Sequence, residues 1–88
     1  MVLEAGHLRL RLRFFASHRE AVGRESLSFE MPEGATAGQL LERLVKEHPG
    51  LKRLREHTVV AVNREQVDMG YVLGDGDEVA FYPPVSGG

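Results

Sequence analysis

Leucine and phenylalanine hold the even positions from residue 8 to 14, and arginine holds the odd ones. Leu8, Leu10, Leu12 and Phe14 stand against Arg9, Arg11 and Arg13. A period of two predicts a strand with one buried face and one wet face. Phe15 breaks the parity: with Phe14 in the core it points outward, where a large aromatic has no folding reason to be, so it is a candidate contact residue. Ala16 to Val22, ahead of Gly23, predicts a short helical turn. Leu27, Phe29 and Met31 alternate with Ser26, Ser28 and Glu30, a second strand close enough to pair antiparallel with the first. Pro32-Glu33-Gly34 closes it as a turn.

The period then changes to that of a helix. Thr36 followed by Gln39 has the form of a capping box, and Leu40, Leu41, Leu44, Val45 and His48 recur on one face. Glu42, Arg43, Lys46 and Glu47 fill the other side, with Glu42 and Lys46 spaced for an i,i+4 pair. Pro49-Gly50 is expected to stop this helix, and Leu51 to His57 to add one further helical turn. Thr58-Val59-Val60-Ala61-Val62 is β-branched and apolar on both parities, as suits a strand inside a sheet. Asn63-Arg64-Glu65 reads as a turn and Gln66-Val67 as a short returning strand. Gly74-Asp75-Gly76-Asp77 is acidic and glycine-rich like a calcium loop, but no glutamate stands at the final ligand position, which favours a tight turn. Val79 and Phe81 alternate with Ala80 and Tyr82 in a last strand that Pro83 ends.

Strand, strand, helix, strand, short strand, strand is an α+β order that resembles the ubiquitin-like β-grasp fold, a mixed sheet curled around one main helix with the last strand parallel to the first. The domain then spans residues 8–82, with an extension at 1–7 and a tail at 83–88. In that topology Phe15 and Tyr82 leave the same ends of neighbouring strands and form an outward aromatic patch at the base of the tail.

Composition narrows the chemistry. Eighty-eight residues hold one core but not a deep catalytic pocket as well, so an enzymatic role requires a partner. A net charge of −2 argues against a nucleic-acid or membrane-surface protein. No apolar run spans a bilayer, and Met1 to His7 lacks the regions of a signal peptide, so the expected location is cytoplasmic. The absence of cysteine removes disulfides, thiolate zinc sites and any thiol nucleophile. His7, His18, His48 and His57 are spaced too widely for the usual paired metal ligands and read as surface histidines, so no metal is expected. The arginines of the first strand read as a solvated face. No phosphate-binding Gly-x-x-x-x-Gly-Lys loop, Gly-x-Ser-x-Gly elbow or His-Glu-x-x-His motif is present.

What remains is the ending, Pro83-Pro84-Val85-Ser86-Gly87-Gly88. The prolines favour an extended path off the last strand, reaching about 20 Å at roughly 3.3 Å per residue. Gly87 and Gly88 have no side chains and pass through a channel too narrow for other residues. A terminal carboxylate is a poor acyl donor, since its leaving group is oxide, and it must be activated, most economically as a mixed anhydride with AMP. No residue of this chain binds ATP in a recognisable motif, so that step falls to another protein.

The run from Leu73 to Gly88 resembles the C-terminal signature of the small subunit of molybdopterin synthase, the MoaD family. Arg13-Phe14-Phe15-Ala16 with Arg19-Glu20 is similar to that family's first strand and turn, and Ala61-Val62-Asn63 to its third strand. Sulfur carriers of the thiamine-pathway ThiS family share the fold and the Gly-Gly, but seldom the Pro-Pro-Val-Ser/Thr step. The resemblance implies a carrier that is not catalytic alone and binds no cofactor. An E1-like (MoeB-like) enzyme consuming ATP adenylates Gly88, and sulfur from a persulfide donor displaces AMP. The resulting thiocarboxylate enters the large (MoaE-like) synthase subunit, where it supplies the dithiolene sulfur of molybdopterin from cyclic pyranopterin monophosphate. Gly88 carries over as the activated residue and Gly87 as the channel residue, with Phe15, Tyr82, Pro83, Pro84 and Val85 facing the partner. Gln66 departs from the pattern, at a place where relatives put an apolar contact. Two other readings stand beside this one: a carrier for thiamine or tRNA thiolation or a lysine-linked protein modifier, and a plain β-grasp interaction module.

Overall fold

The computed structural model describes residues 6–84. The alternation of leucine and arginine produces β1 (His7–Phe14), with every even residue buried and every odd one exposed. It pairs antiparallel with β2 (Ser26–Pro32), Leu8 opposite Met31 and Leu12 opposite Leu27. Strand formation starts at His7, one residue inside the segment read as an extension.

Between them lies α1 (Ser17–Val22), ended by Gly23 in the left-handed conformation that glycine adopts without strain. The main helix α2 (Ala37–Glu47) opens with the reciprocal capping box: Gln39 N–H donates to Thr36 Oγ1 and Thr36 N–H donates to Gln39 Oε1. Its Leu40, Leu41 and Leu44 are buried.

Around this helix the expected stop holds and the expected ion pair does not. As expected, α2 ends ahead of Pro49-Gly50, and the further helical turn over Leu51 to His57 is present as a 3-10 segment, Pro49–His57, which Pro49 opens because first-turn donors have no helical acceptor and its missing N–H costs nothing. Glu42 pairs not with Lys46 but with Arg55 of that segment, Nη1 to Oε1 at 3.0 Å, since the chain reversal brings this one guanidinium nitrogen within reach of both carboxylate oxygens.

β3 (Val59–Val62) and β4 (Glu65–Val67) form a hairpin whose two loop residues, Asn63 and Arg64, have φ of 50° and 74°. That pattern matches the right-handed twist of the strands it joins. Asn63 is fixed there by its side chain, which donates to Asp77 Oδ1 and accepts from Glu78 N–H. β5 (Glu78–Tyr82) lies between β1 and β3, parallel to β1 and antiparallel to β3, giving the order β2-β1-β5-β3-β4.

One core holds the sheet and helices together, from Leu8, Leu10, Leu12 and Phe14 through Leu40, Leu44 and Leu51 to Val60, Val79 and Phe81. Phe14 and Phe81, partners across the parallel pair, stack at 5.6 Å and 15°. This is the ubiquitin-like β-grasp expected from the element order, a mixed five-stranded sheet wrapped on one main helix.

Candidate functional site

The parallel pairing of β1 and β5 decides what stands beside the point where the last strand ends. Because Phe14 sits opposite Phe81, the next residues, Phe15 and Tyr82, emerge side by side. Their rings meet edge to face at 6.4 Å. Phe15 is 42% exposed and Tyr82 half-buried, so the pair forms an outward patch as the parity predicted.

The backbone holds Phe15 there. Its N–H donates to Phe81 O at 3.1 Å, and its carbonyl accepts from His18 N–H at 3.0 Å. Ala16, which turns the chain from β1 into α1, has φ of 52°. A non-glycine residue in that region stores strain, and here the strain aims an aromatic at solvent. The Arg13 guanidinium lies 5.4 Å from the Phe15 ring centre and 3.7 Å from Glu78, flanking the patch with charge.

Two residues that the sequence does not mark as contact candidates extend the apolar surface. Val59 pairs with Tyr82 across β3 and β5, and Ala80 follows the same outward parity. Alternation in β5 places Ala80, since Val79 and Phe81 point inward, whereas β3 is apolar on both parities and Val59 is placed only by its pairing with Tyr82. Gln66, opposite Ala61 on β4, is exposed and puts a polar edge on this face. Pro83 is half-buried and Pro84 exposed, carrying the chain off the patch. Val85, Gly87 and Gly88 lie outside the described residues.

The tight-turn reading of residues 74–77 is borne out by its carboxylates, which are spent on hydrogen bonds within the fold. Asp75 Oδ1 accepts from Arg9 N–H at 2.8 Å and Asp77 Oδ2 from Gly74 N–H at 2.7 Å. Among the described residues no group of three or more histidine and carboxylate side chains is placed to hold a metal ion. No described helix is long and apolar enough to cross a membrane.

His18 corrects the reading of four surface histidines: it is 1% exposed, locked between α1 and the 3-10 segment. The Thr58 hydroxyl donates to Leu54 O at 2.8 Å, so its oxygen must accept from His18 Nε2–H, also at 2.8 Å. Nδ1 is then the unprotonated nitrogen, buried without a partner among the described residues. Sequence gave no sign of this, because the contact joins residues forty positions apart.

Burial pushes the His18 pKa below 6.5. The unfolded chain takes up a proton near pH 6.5 that the folded chain resists, so this stability is complete above 6.5 and is lost as pH falls. His18 alone contributes a slope of up to about 1.4 kcal/mol per pH unit below that point. Denaturant unfolding at pH 7.5 and 5.5 will therefore show a larger loss for the native chain than for His18→Gln. Equal losses would contradict this account of His18.

Comparison with known proteins places this arrangement. The ThiS family profile matches residues 12–88. The molybdopterin synthase sulfur carrier subunit of Chlamydomonas reinhardtii is 37% identical, over 92% of this chain and all of the relative. Small archaeal modifier protein 3 of Haloferax volcanii is also 37% identical over the same shares. A Haloferax volcanii protein solved in solution superposes with a TM-score of 0.86 and 38% identity, covering 100% of this chain and 93% of that one. The Helicobacter pylori complex of subunits 1 and 2 of molybdopterin-converting factor contains a chain matching with a TM-score of 0.64 and 26% identity, over 92% of this chain and 100% of that one. The chain belongs to the ThiS family, as a ubiquitin-like β-grasp protein akin to the sulfur carrier subunits of molybdopterin synthase.

Proposed function

We propose that this chain is the sulfur carrier subunit of a molybdopterin synthase, with Gly88 bearing the sulfur as a C-terminal thiocarboxylate. The observation that carries this reading is the Phe15–Tyr82 patch, set where β5 gives way to Pro83 and Pro84. A docking surface at the root of the ending positions whatever follows in a partner's site.

The chemistry follows from the weakness of a carboxylate as an acyl donor. In the E1-like partner, a Gly88 carboxylate oxygen attacks the α-phosphorus of ATP and pyrophosphate leaves. The terminal sulfur of a persulfide on a donor protein then attacks the acyl carbon, and AMP departs with the former carboxylate oxygen. A thiol cleaves the resulting acyl disulfide and frees the thiocarboxylate. In the large subunit this sulfur passes to cyclic pyranopterin monophosphate to build the dithiolene, and Gly88 returns as a carboxylate. Gly87 supplies clearance in the channel, while Pro83, Pro84 and Val85 lead the chain into it. A large-subunit partner is supported by the two-subunit Helicobacter complex.

A second reading rests on the equal identity to small archaeal modifier protein 3. In it the same activated Gly88 is joined to a lysine amine, or its sulfur serves thiamine or tRNA thiolation.

Incubation with the E1-like enzyme, ATP and a sulfur donor will raise the intact mass by the difference between one sulfur and one oxygen. No rise with an enzyme shown active on its own carrier would refute every carrier reading. Lysine-linked conjugates in cell extracts, with no pterin product, would select the modifier. Tyr82→Ala will weaken binding to the large subunit by roughly tenfold, the cost of truncating an aromatic anchor. Titration calorimetry checks this, and unchanged affinity would mean the patch is not the docking surface.

A further inference from the structure

Four large hydrophobic side chains are exposed among the described residues, and the patch at the root of the ending uses one, Phe15. The other three stand together on the connection from β4 to β5: Met69 is 37% exposed, Tyr71 41% and Val72 59%. Their backbone is pinned to the start of α2. Gly38 N–H donates to Met69 O at 2.8 Å, Ala37 N–H to Tyr71 O at 2.9 Å, and Leu73 N–H to Ala35 O at 2.9 Å. Asp68 stiffens the entry, its Oδ1 accepting from Gly70 N–H at 3.0 Å. Three apolar side chains are thus displayed on a rigid ledge that the core does not need.

Beside the ledge runs an open groove of about 710 Å³ along α2. Met31, Ala35, Leu41 and Met69 give it an apolar floor and wall, and its charged rim is Glu42, Arg43, Lys46 and Arg55. Glu42 is already taken by Arg55 at 3.0 Å. Arg43 and Lys46 form no ion pair with any described residue, so the rim presents two unspent cations over an apolar floor.

From this pairing of features we infer that the groove and ledge bind an acidic segment of another protein that also presents apolar side chains. Covering Arg43 and Lys46 with an apolar surface alone would strip their hydration without compensation, whereas carboxylates opposite them restore it. A second copy of this chain fits poorly, because a two-fold contact on the groove brings the same cations face to face. Nucleic acid would leave the apolar ledge unused.

The site stands apart from the Phe15–Tyr82 patch. Met31 and Pro32 pair with Leu8 and His7 at the start of β1, while Phe15 follows its end. Seven strand steps, roughly 23 Å, separate the Met31–Pro32 end of the groove from Phe15, and Phe15 and Tyr82 have the parity opposite to the core-facing residues of β1 and β5. A segment held in the groove therefore leaves the patch uncovered, and the inference does not depend on the sulfur-carrier reading.

The test is an amide-resolved titration of the full ¹⁵N-labelled chain with a synthetic peptide, acetyl-Glu-Leu-Glu-Glu-Leu-Phe-Glu-Glu-Leu-amide. Saturable shifts are expected at Gly38, Gln39, Arg43 and Met69, with none at Phe15 or Tyr82. The exposed double variant Arg43→Glu, Lys46→Glu should keep the native spectrum elsewhere and bind roughly tenfold more weakly, as attraction becomes repulsion at two rim positions. The same peptide with glutamine for every glutamate should weaken comparably. The inference is overturned by shifts that do not saturate, by shifts centred on Phe15 and Tyr82, by equal binding of the variant or of the glutamine peptide, or by groove shifts that appear on concentrating the chain without peptide.

Discussion

Deleting Gly88 will abolish the mass gain that the E1-like enzyme, ATP and a sulfur donor produce, and will leave the folded body unchanged. Phe81 is the last core residue among the described ones and stands seven positions before Gly88 (88 − 81), so the truncation is expected to leave that core as it is. The loss is complete rather than graded, because the acyl carbon must be presented at one point in the activating site and a chain one residue shorter falls about 3.3 Å short. Intact-mass spectrometry reads the first effect and thermal unfolding the second. A shortened chain that still gained the mass would refute the role of Gly88, and a shift of many degrees in Tm would show that the ending belongs to the fold.

Phe81→Ala will have the largest effect on stability. The ring is fully buried, stacked on Phe14, and sits at the junction where β5 joins β1 on one side and β3 on the other. Truncating a buried phenylalanine costs about 3–5 kcal/mol in transfer and cavity terms. Against a total stability of roughly 5–15 kcal/mol, the variant is left marginal or unfolded at 37 °C. Tyr82→Ala, one residue later and half-buried, makes the contrast: docking weakens while the core persists. Urea unfolding of the two variants checks this, and comparable losses would mean that β5 does not separate core from contact by parity.

That contrast between adjacent residues is also why so much was legible in the chain. Period-two alternation in β1 and β5 fixes which side chains face the core, and the parallel pairing puts their first outward aromatics together. The capping box and the Asn63-Arg64 turn are equally local, each readable from residues three or fewer positions apart. What sequence did not disclose depends on approach between distant segments. Arg55 displaced Lys46 as the partner of Glu42 only because the 3-10 segment folds back along α2. His18 is buried where its ring meets the hydroxyl of Thr58, forty positions along the chain. The ledge at Met69, Tyr71 and Val72 has no periodicity at all; its exposure follows from hydrogen bonds to the start of α2.

Within the site, the patch was foreseen as Phe15 and Tyr82, and Val59 and Ala80 widen it. The strain at Ala16 was not foreseen, since alanine carries no preference for a positive φ and only the geometry of the β1–α1 corner imposes it.

Gly88, in the function proposed for this chain, carries sulfur to a pterin. The most direct measurement combines the thiocarboxylated chain with the large subunit and cyclic pyranopterin monophosphate, following the intact mass of the chain and the formation of molybdopterin together. The added mass will disappear in step with product, two carriers reverting for each dithiolene formed. Product without loss of that mass, or loss of the mass without product, would contradict that role.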